Sequence, residues 1–198
     1  MDVVVSAIIQ AGLVLVLPCV WWLLTARRQA GFLAWLGWKR PRVARRRVLI
    51  ALMAGGLVVF LVPGLLILPR VSSAAATSQF HGLGWAGLVG VVAYALVQTA
   101  FSEETLFRGF LLKRLAVKLG FWPANAIQAA AFALLHAVPF AIMVDAGLGA
   151  VIGIMTGAIG ALMGYLNERL AGGSLFPSWT LHGSANLLTG CLALASLL

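Results

Sequence analysis

The residues best suited to chemistry are a few polar side chains inside long apolar stretches. Two of the five acidic residues, Glu103 and Glu104, are adjacent, and Arg108 follows Glu104 by four positions. On a helix this spacing lets Glu104 and Arg108 pair, whereas Glu103 is rotated from Glu104 by about 100°. We therefore expect one neutralised carboxylate and a second that faces a cavity.

Two later apolar stretches repeat the four-residue spacing, in Phe132 with His136 and in His182 with Asn186. A carboxylate near an imidazole can hold and deprotonate a water, which is general-base catalysis. A second imidazole and an amide can donate hydrogen bonds to the oxyanion that forms when that water attacks a carbonyl. Glu103 with His136 suits the first role, and His182 with Asn186 suits the second.

The elements that position these residues must be membrane-spanning helices. Of the 198 residues, 62% are hydrophobic and only 10% are charged, whereas a soluble domain carries about a quarter charged residues. The apolar stretches predict an all-α, polytopic transmembrane bundle of about six spans, namely Val3–Leu24, Val48–Leu68, Trp85–Leu112, Trp122–Val138, Gly147–Leu166 and Ser174–Leu197. Pro139 is expected to end the fourth of these spans.

The net charge of +9 is concentrated beside the first span, because eight of the fourteen basic residues lie within Arg27–Arg47. This is the pattern of a cytoplasmic loop that faces anionic lipid, and it argues against nucleic-acid binding. The same rule places Lys113–Lys118 and Arg169 on the cytoplasmic side. With six crossings, both termini then face the outside. We expect a multi-pass protein of the bacterial inner membrane, with Trp35 and Trp38 as interfacial anchors.

A depth estimate tests whether the three polar faces can meet. At about 1.5 Å of rise per residue from the cytoplasmic end of each span, Glu103 lies about 15 Å deep, His182 about 12 Å and His136 about 21 Å. In an apolar core roughly 30 Å thick, these depths are compatible with one site near mid-membrane. The third span must then continue through Glu103.

Taken together, the three pairs resemble a known family. The CAAX protease and bacteriocin-processing (CPBP) family carries three motifs, which the chain matches in order as Glu103-Glu104-x-x-x-Arg108, Phe132-x-x-x-His136 and His182-x-x-x-Asn186. The chain is similar to the domain shared by eukaryotic CAAX prenyl endopeptidases and bacterial glutamic-type intramembrane proteases. Residues 85–198 are expected to form this protease core. Residues 1–84 are expected to form a two-helix membrane segment with the basic loop and no recognisable motif.

The resemblance implies a membrane-embedded endopeptidase. In it, Glu103 and His136 activate water, His182 and Asn186 form the oxyanion site, and the Glu104–Arg108 pair supports them. The implied substrate is a membrane-associated protein or peptide, for example one with a CAAX-like or C-terminal sorting tail. We expect it to be cut near its C-terminal or membrane-proximal end, in the cytoplasmic half of the bilayer.

Other hypotheses stay open at this point. Zinc could be bound by Glu103, His136 and His182 with water in the fourth position, although the compact His-Glu-x-x-His arrangement is absent. No cofactor is expected, and zinc is the mechanistic rival.

A non-catalytic module, such as an immunity or chaperone protein, would use the same residues only to join helices. A proton-coupled carrier would show repeated halves, which are not evident. Asp145 and Glu168 are expected to be solvated loop residues.

Overall fold

The structure, a computed structural model, describes residues 2–71 and 75–197. These residues form helices and turns without any strand, which confirms the predicted all-α class. The helices, with contiguous turns joined, are α1 (Val3–Thr25), α2 (Phe32–Leu36), α3 (Arg46–Val71), α4 (Gly84–Leu119), α5 (Phe121–Met143), α6 (Ala146–Leu170) and α7 (Phe176–Leu194).

Most of these helices are long and apolar enough to cross a membrane. Within the described residues, five meet both conditions, namely α1, α3, α4, α5 and α6. The sixth predicted span corresponds to α7, whose 19 residues extend over about 28 Å. Its apolar character is diluted by polar residues such as Ser178, His182 and Asn186. The fold is therefore a polytopic helical membrane bundle.

The helix α4 is unusual because much of it is π-helical, in the segments Ala93–Phe101 and Glu104–Leu112. Such wide turns are rare and are frequently found at functional sites. The hydroxyls of Thr99 and Ser102 donate to carbonyl oxygens five residues earlier, at 3.0 and 3.2 Å. The prediction that this span continues through Glu103 is confirmed.

The helices α5 and α6 pack closely through small residues. A Cβ atom built on Gly149 would lie 2.7 Å from the Ala141 nitrogen and 2.8 Å from the Ala137 carbonyl oxygen. Further along α6, a Cβ on Gly153 would meet the Ala137 Cβ at 2.8 Å. Glycine is needed here because only a residue without a side chain lets the two backbones approach this closely.

The prediction that Pro139 ends the fourth span is wrong, because α5 continues through Pro139 to Met143. A proline removes one backbone donor, but unwinding the helix would expose many more polar groups. In a membrane, where no water can satisfy those groups, the continuous helix is the less costly arrangement.

The basic segments meet at one end of the bundle. The Arg42 backbone N–H donates to the Ala171 carbonyl oxygen at 3.1 Å, and the Ser174 hydroxyl donates to the Lys39 carbonyl oxygen at 2.7 Å. The guanidinium of Arg114 lies 3.8 Å above the Trp35 ring. The loop between α1 and α3, the end of α4 and the turn between α6 and α7 therefore form one positively charged end, here called the basic end.

Glu168 belongs to the basic end as well, and the expectation that it is a solvated loop residue is wrong. It lies in a wide turn at the end of α6 and forms an ion pair with Lys113. The Lys113 ammonium also donates to the Gly173 carbonyl oxygen at 2.9 Å. Asp145, by contrast, is exposed and caps α6 by accepting from the Leu148 N–H at 2.9 Å.

Gly149→Ala is expected to lower the free energy of unfolding by about 1–3 kcal/mol, because the new methyl group overlaps the α5 backbone. The matched control is Gly55→Ala in α3, where a Cβ atom would have nothing within 4 Å. The control is expected to be neutral or slightly stabilising. Denaturant titration in detergent measures both variants, and equal stability of the two would contradict the packing argument.

Candidate active site

A buried ion pair on α4 forms the base of the site. Arg108 Nη1 donates to Glu104 Oε1 at 3.0 Å, and both side chains are fully buried. The guanidinium also lies 4.1 Å above the Phe132 ring of α5, which adds a cation–π contact. The predicted pairing of Glu104 with Arg108 is therefore present, and it joins α4 to α5.

The same carboxylate oxygen joins α4 to α7. His182 Nδ1 lies 3.0 Å from Glu104 Oε1. Because an ionised carboxylate only accepts hydrogen bonds, the proton is assigned to Nδ1. His182 then directs its Nε2 atom toward the neighbouring carboxylate, Glu103.

Glu103 is the carboxylate that faces a cavity. Its Oε2 atom lies 3.8 Å from Nε2 of His136 and 3.8 Å from Nε2 of His182. Within residues 2–71 and 75–197, this oxygen has no hydrogen-bond partner. The separation is too long for a direct hydrogen bond but suits a bridging water. The structure thus brings together the three residues whose depths were estimated from the sequence.

The ring of His136 is oriented by its own helix. Its Nδ1 atom lies 2.9 Å from the Phe132 carbonyl oxygen, which can only accept, so the proton is assigned to Nδ1. On the neutral ring, Nε2 then carries a lone pair directed toward Glu103. One water can donate a hydrogen to each of these two acceptors.

Asn186 is positioned by a residue that the motif analysis did not select. Its Nδ2 atom donates to Thr99 Oγ1 at 2.8 Å, and the Thr99 hydroxyl donates in turn to backbone carbonyl oxygens of α4. Asn186 therefore contacts α4 instead of its helical neighbour His182. Thr99 precedes Glu103 by four positions, and this spacing on one helix face is the signal that could have identified it.

Glu103, His136, His182 and Asn186 line one cavity of about 430 Å³. This volume lies in the range of pockets that enclose small ligands. Much of its wall is apolar and includes residues of the N-terminal segment, namely Leu57, Phe60, Gly64 and Ile67.

Gln10 of α1 also reaches the cavity. Its Nε2 atom donates to the Gln98 carbonyl oxygen at 2.9 Å, and Gln98 Nε2 donates to Gln10 Oε1 at 3.3 Å. The sequence signal was available, because Gln10 is a polar residue inside the first apolar stretch. The N-terminal helices are thus part of the cavity wall.

Trp38 packs against the helix that carries the two glutamates. Its indole Nε1 donates to Thr105 Oγ1 at 3.0 Å, and its ring stacks on Phe101 with centroids 5.0 Å apart. The predicted interfacial anchor therefore contacts α4 on both sides of Glu103 and Glu104. Through this contact the basic loop supports the backbone of the site.

A metal site would require several donor side chains to lie close together. Among the described residues, no group of three or more His, Cys, Asp or Glu side chains is placed to hold a metal ion. Glu103, His136 and His182 do lie together, with Nε2 of each imidazole 3.8 Å from Oε2 of the Glu103 carboxylate. The zinc hypothesis stays a prediction, and metal removal tests it below.

The chain matches a known protein family over much of its length. A sequence model of the family described as type II CAAX prenyl endopeptidase Rce1-like matches residues 84–188, more than half of the 198 residues. The matched range contains all six residues selected from the sequence. No curated protein and no solved structure matches the chain significantly.

Glu104→Gln is expected to lower the free energy of unfolding by about 3–5 kcal/mol, because Arg108 is left as an uncompensated buried charge. Glu103→Gln, the same change one residue earlier, is expected to stay within about 1 kcal/mol, since its Oε2 atom has no hydrogen bond to lose among the described residues. Denaturant titration in detergent compares the pair. A loss as large in Glu103→Gln would show that both carboxylates are structural.

Proposed function

Since the chain belongs to the Rce1-like family of type II CAAX prenyl endopeptidases, we propose that it hydrolyses peptide bonds with a water held by Glu103 and His136. The observation that carries this proposal is the Glu103 Oε2 atom, which faces the cavity between two imidazole Nε2 atoms at 3.8 Å. An acceptor left in such a position is costly unless a donor such as water reaches it.

In the proposed reaction, the Glu103 carboxylate takes one proton from the water. His136 Nε2 accepts a hydrogen bond from the other hydrogen and thereby orients the lone pair of the water oxygen. The hydroxide oxygen attacks the carbonyl carbon of the substrate and forms a tetrahedral intermediate. Glu103 then passes its proton to the amide nitrogen, and the C–N bond breaks to release an amine and a carboxylic acid. The same carboxylate therefore serves as base and then as acid.

The oxyanion of the intermediate is stabilised by His182 and Asn186. With Nδ1 bonded to Glu104, the His182 ring donates through Nε2 only when it carries both protons. The Asn186 amide, held by Thr99, supplies a neutral donor. Glu104 and Arg108 act through His182 and are positioning residues.

The proposed substrate is a membrane-associated polypeptide with a CAAX-like or other C-terminal processing tail. The protein is proposed to lie in the bacterial inner membrane, where the basic end contacts anionic lipid. Residues 85–198 supply the chemistry in this proposal, and residues 1–84 supply part of the cavity wall. No metal takes part in the proposed reaction.

Glu103→Gln is expected to reduce cleavage by at least about 10³-fold, because an amide cannot accept the proton of water, and His136→Ala by about 10²-fold or more. Purified protein in detergent is incubated with a panel of membrane-anchored tail peptides and assayed by mass spectrometry. Wild-type cleavage is expected to persist after treatment with a chelator. Loss on chelation with recovery on adding zinc would replace this mechanism by a metal-dependent one. Full activity of Glu103→Gln would overturn the proposed glutamate mechanism.

Thr99→Val is expected to lower kcat about tenfold or more with little change in KM, because Asn186 loses the acceptor that orients it. Thr99→Ser keeps the hydroxyl and is expected to retain most of the activity. The same peptide assay, run over a range of substrate concentrations, separates kcat from KM. Equal losses in both variants, or a loss in KM alone, would indicate a packing role.

A further inference from the structure

Gln98 and Glu103 share one property within the cavity. Among the described residues, several buried side-chain nitrogen and oxygen atoms lack a hydrogen-bond partner, but only Gln98 Oε1 and Glu103 Oε2 belong to residues that line the cavity. Both atoms are acceptors. The proposed reaction supplies Glu103 Oε2 with a donor, the attacking water, and leaves Gln98 Oε1 without one. A buried acceptor of this kind is costly unless a donor reaches it.

The orientation of the Gln98 amide follows from its contacts with Gln10 of α1. Gln10 Nε2 lies 2.9 Å from the Gln98 backbone carbonyl oxygen, and because a carbonyl can only accept, this nitrogen is the donor. Gln10 Oε1 then faces Gln98 and accepts from its Nε2 atom at 3.3 Å. The amide nitrogen of Gln98 is thereby assigned to the contact with α1, and its Oε1 atom is left for another donor.

The wide turns of α4 bring Gln98 to the same wall as Glu103. In an ideal α-helix, residues five positions apart are rotated from each other by about 140°. The segment Ala93–Phe101 is π-helical, and in a π-helix the backbone hydrogen bonds join residues five positions apart, which reduces this rotation. Gln98 and Glu103 accordingly line the same cavity, together with Thr99.

The surroundings of Gln98 indicate which donor it can meet. Leu57, Phe60, Ile152 and Met155 make other parts of the cavity wall apolar, which favours substrate side chains that carry no donor. Each residue of a polypeptide other than proline still has one backbone N–H group, and this group is costly to bury without an acceptor. A peptide N–H and Gln98 Oε1 therefore satisfy each other.

The separation of Gln98 from Glu103 indicates which N–H group this is. Five residues of helix extend over about 7 Å, and an extended peptide advances about 3.3 Å per residue. When the carbonyl to be cleaved lies beside the water on Glu103, the peptide reaches Gln98 about two residues away.

We propose that Gln98 binds the substrate, with its Oε1 atom accepting from a backbone N–H about two residues from the cleaved bond. This contact fixes the peptide along the wall that α4 forms. The proposal rests on the proposed peptidase activity and adds a substrate-binding residue to it. Gln10 is a positioning residue that acts through Gln98, and it lies outside residues 84–188, the range that the family model matches.

Amide-to-ester substitution in the peptide tests this contact, because it replaces one N–H by oxygen and leaves the length of the chain unchanged. The membrane-anchored tail peptide that the wild type cleaves fastest is remade with single esters at the three positions on either side of the cleaved bond. One ester, about two residues from that bond, is expected to lower kcat/KM about tenfold. Mass spectrometry identifies the bond that is cut in each peptide.

Gln98→Met removes the acceptor and keeps an unbranched side chain of similar length. This variant is expected to cleave the parent peptide with a kcat/KM about tenfold lower, because the hydrogen bond is lost. The ester to which the wild type is sensitive is then expected to cost less than about twofold more, since the same contact cannot be lost twice. Gln98→Ala is measured beside it, so that the test does not depend on the folding of one variant.

Gln128→Met is the matched control. Gln128 of α5 is a buried glutamine whose Oε1 atom also lacks a partner among the described residues. Its Nε2 atom donates to Asn125 and to the Gly160 carbonyl oxygen, and Gln128 is not among the residues that line the cavity. The full tenfold ester effect is expected to persist in this variant, because a ratio between two peptides does not depend on the amount of folded enzyme.

An ester effect of equal size in the wild type and in the Gln98 variants would overturn the proposal, and Gln98 would then only join α4 to α1. Equal cleavage of all the ester peptides by the wild type would overturn it as well, while the proposed peptidase activity would stand. If the wild type cleaves no peptide of the panel, the proposed function fails, and the proposal for Gln98 fails with it.

Discussion

One carboxylate oxygen, Glu104 Oε1, is the point on which the site depends. It accepts from Arg108 and from His182, both at 3.0 Å, in surroundings where Glu104 itself is fully buried. A charge in the membrane interior costs at least about 2.5–3.5 kcal/mol, so Glu104 requires partners from more than its own helix. The contact with His182 orients α7 against α4, and it is the reason for assigning the ring proton to Nδ1. As a consequence, Nε2 of His182 points at Glu103.

Glu103 shows the complementary constraint. Glu104 is paired through its Oε1 atom, although its Oε2 atom has no hydrogen-bond partner among the described residues. The Oε2 atom of Glu103 is likewise buried with no partner in the described part of the chain, and Glu103 lines the cavity. A stable protein rarely leaves such an acceptor unless its function requires it. The wide turns of α4 on both sides of Glu103 fit this view, because they depart from the most stable helical geometry. Trp38 contacts this part of α4 through its hydrogen bond to Thr105.

The sequence predicts the local part of this arrangement and misses the long-range part. The pairing of Glu104 with Arg108 follows from helical spacing alone, and the meeting of Glu103 with two histidines follows from their similar depths. Contacts between distant positions carry no such signature. His182 bonds Glu104 from 78 residues away, and Lys113 pairs with Glu168 from 55 residues away. The prediction of a solvated Glu168 failed for this reason.

The division between chemistry and substrate selection follows from the same physics. In the proposed reaction, activating a water requires polar atoms placed to within fractions of an ångström, and the residues proposed for it all belong to 84–188, the range that the family model matches. An apolar wall requires only shape, which many combinations of side chains can supply. In this chain part of that apolar wall comes from α3, through Leu57, Phe60 and Ile67. Selectivity can therefore change through the N-terminal helices while the catalytic geometry stays the same.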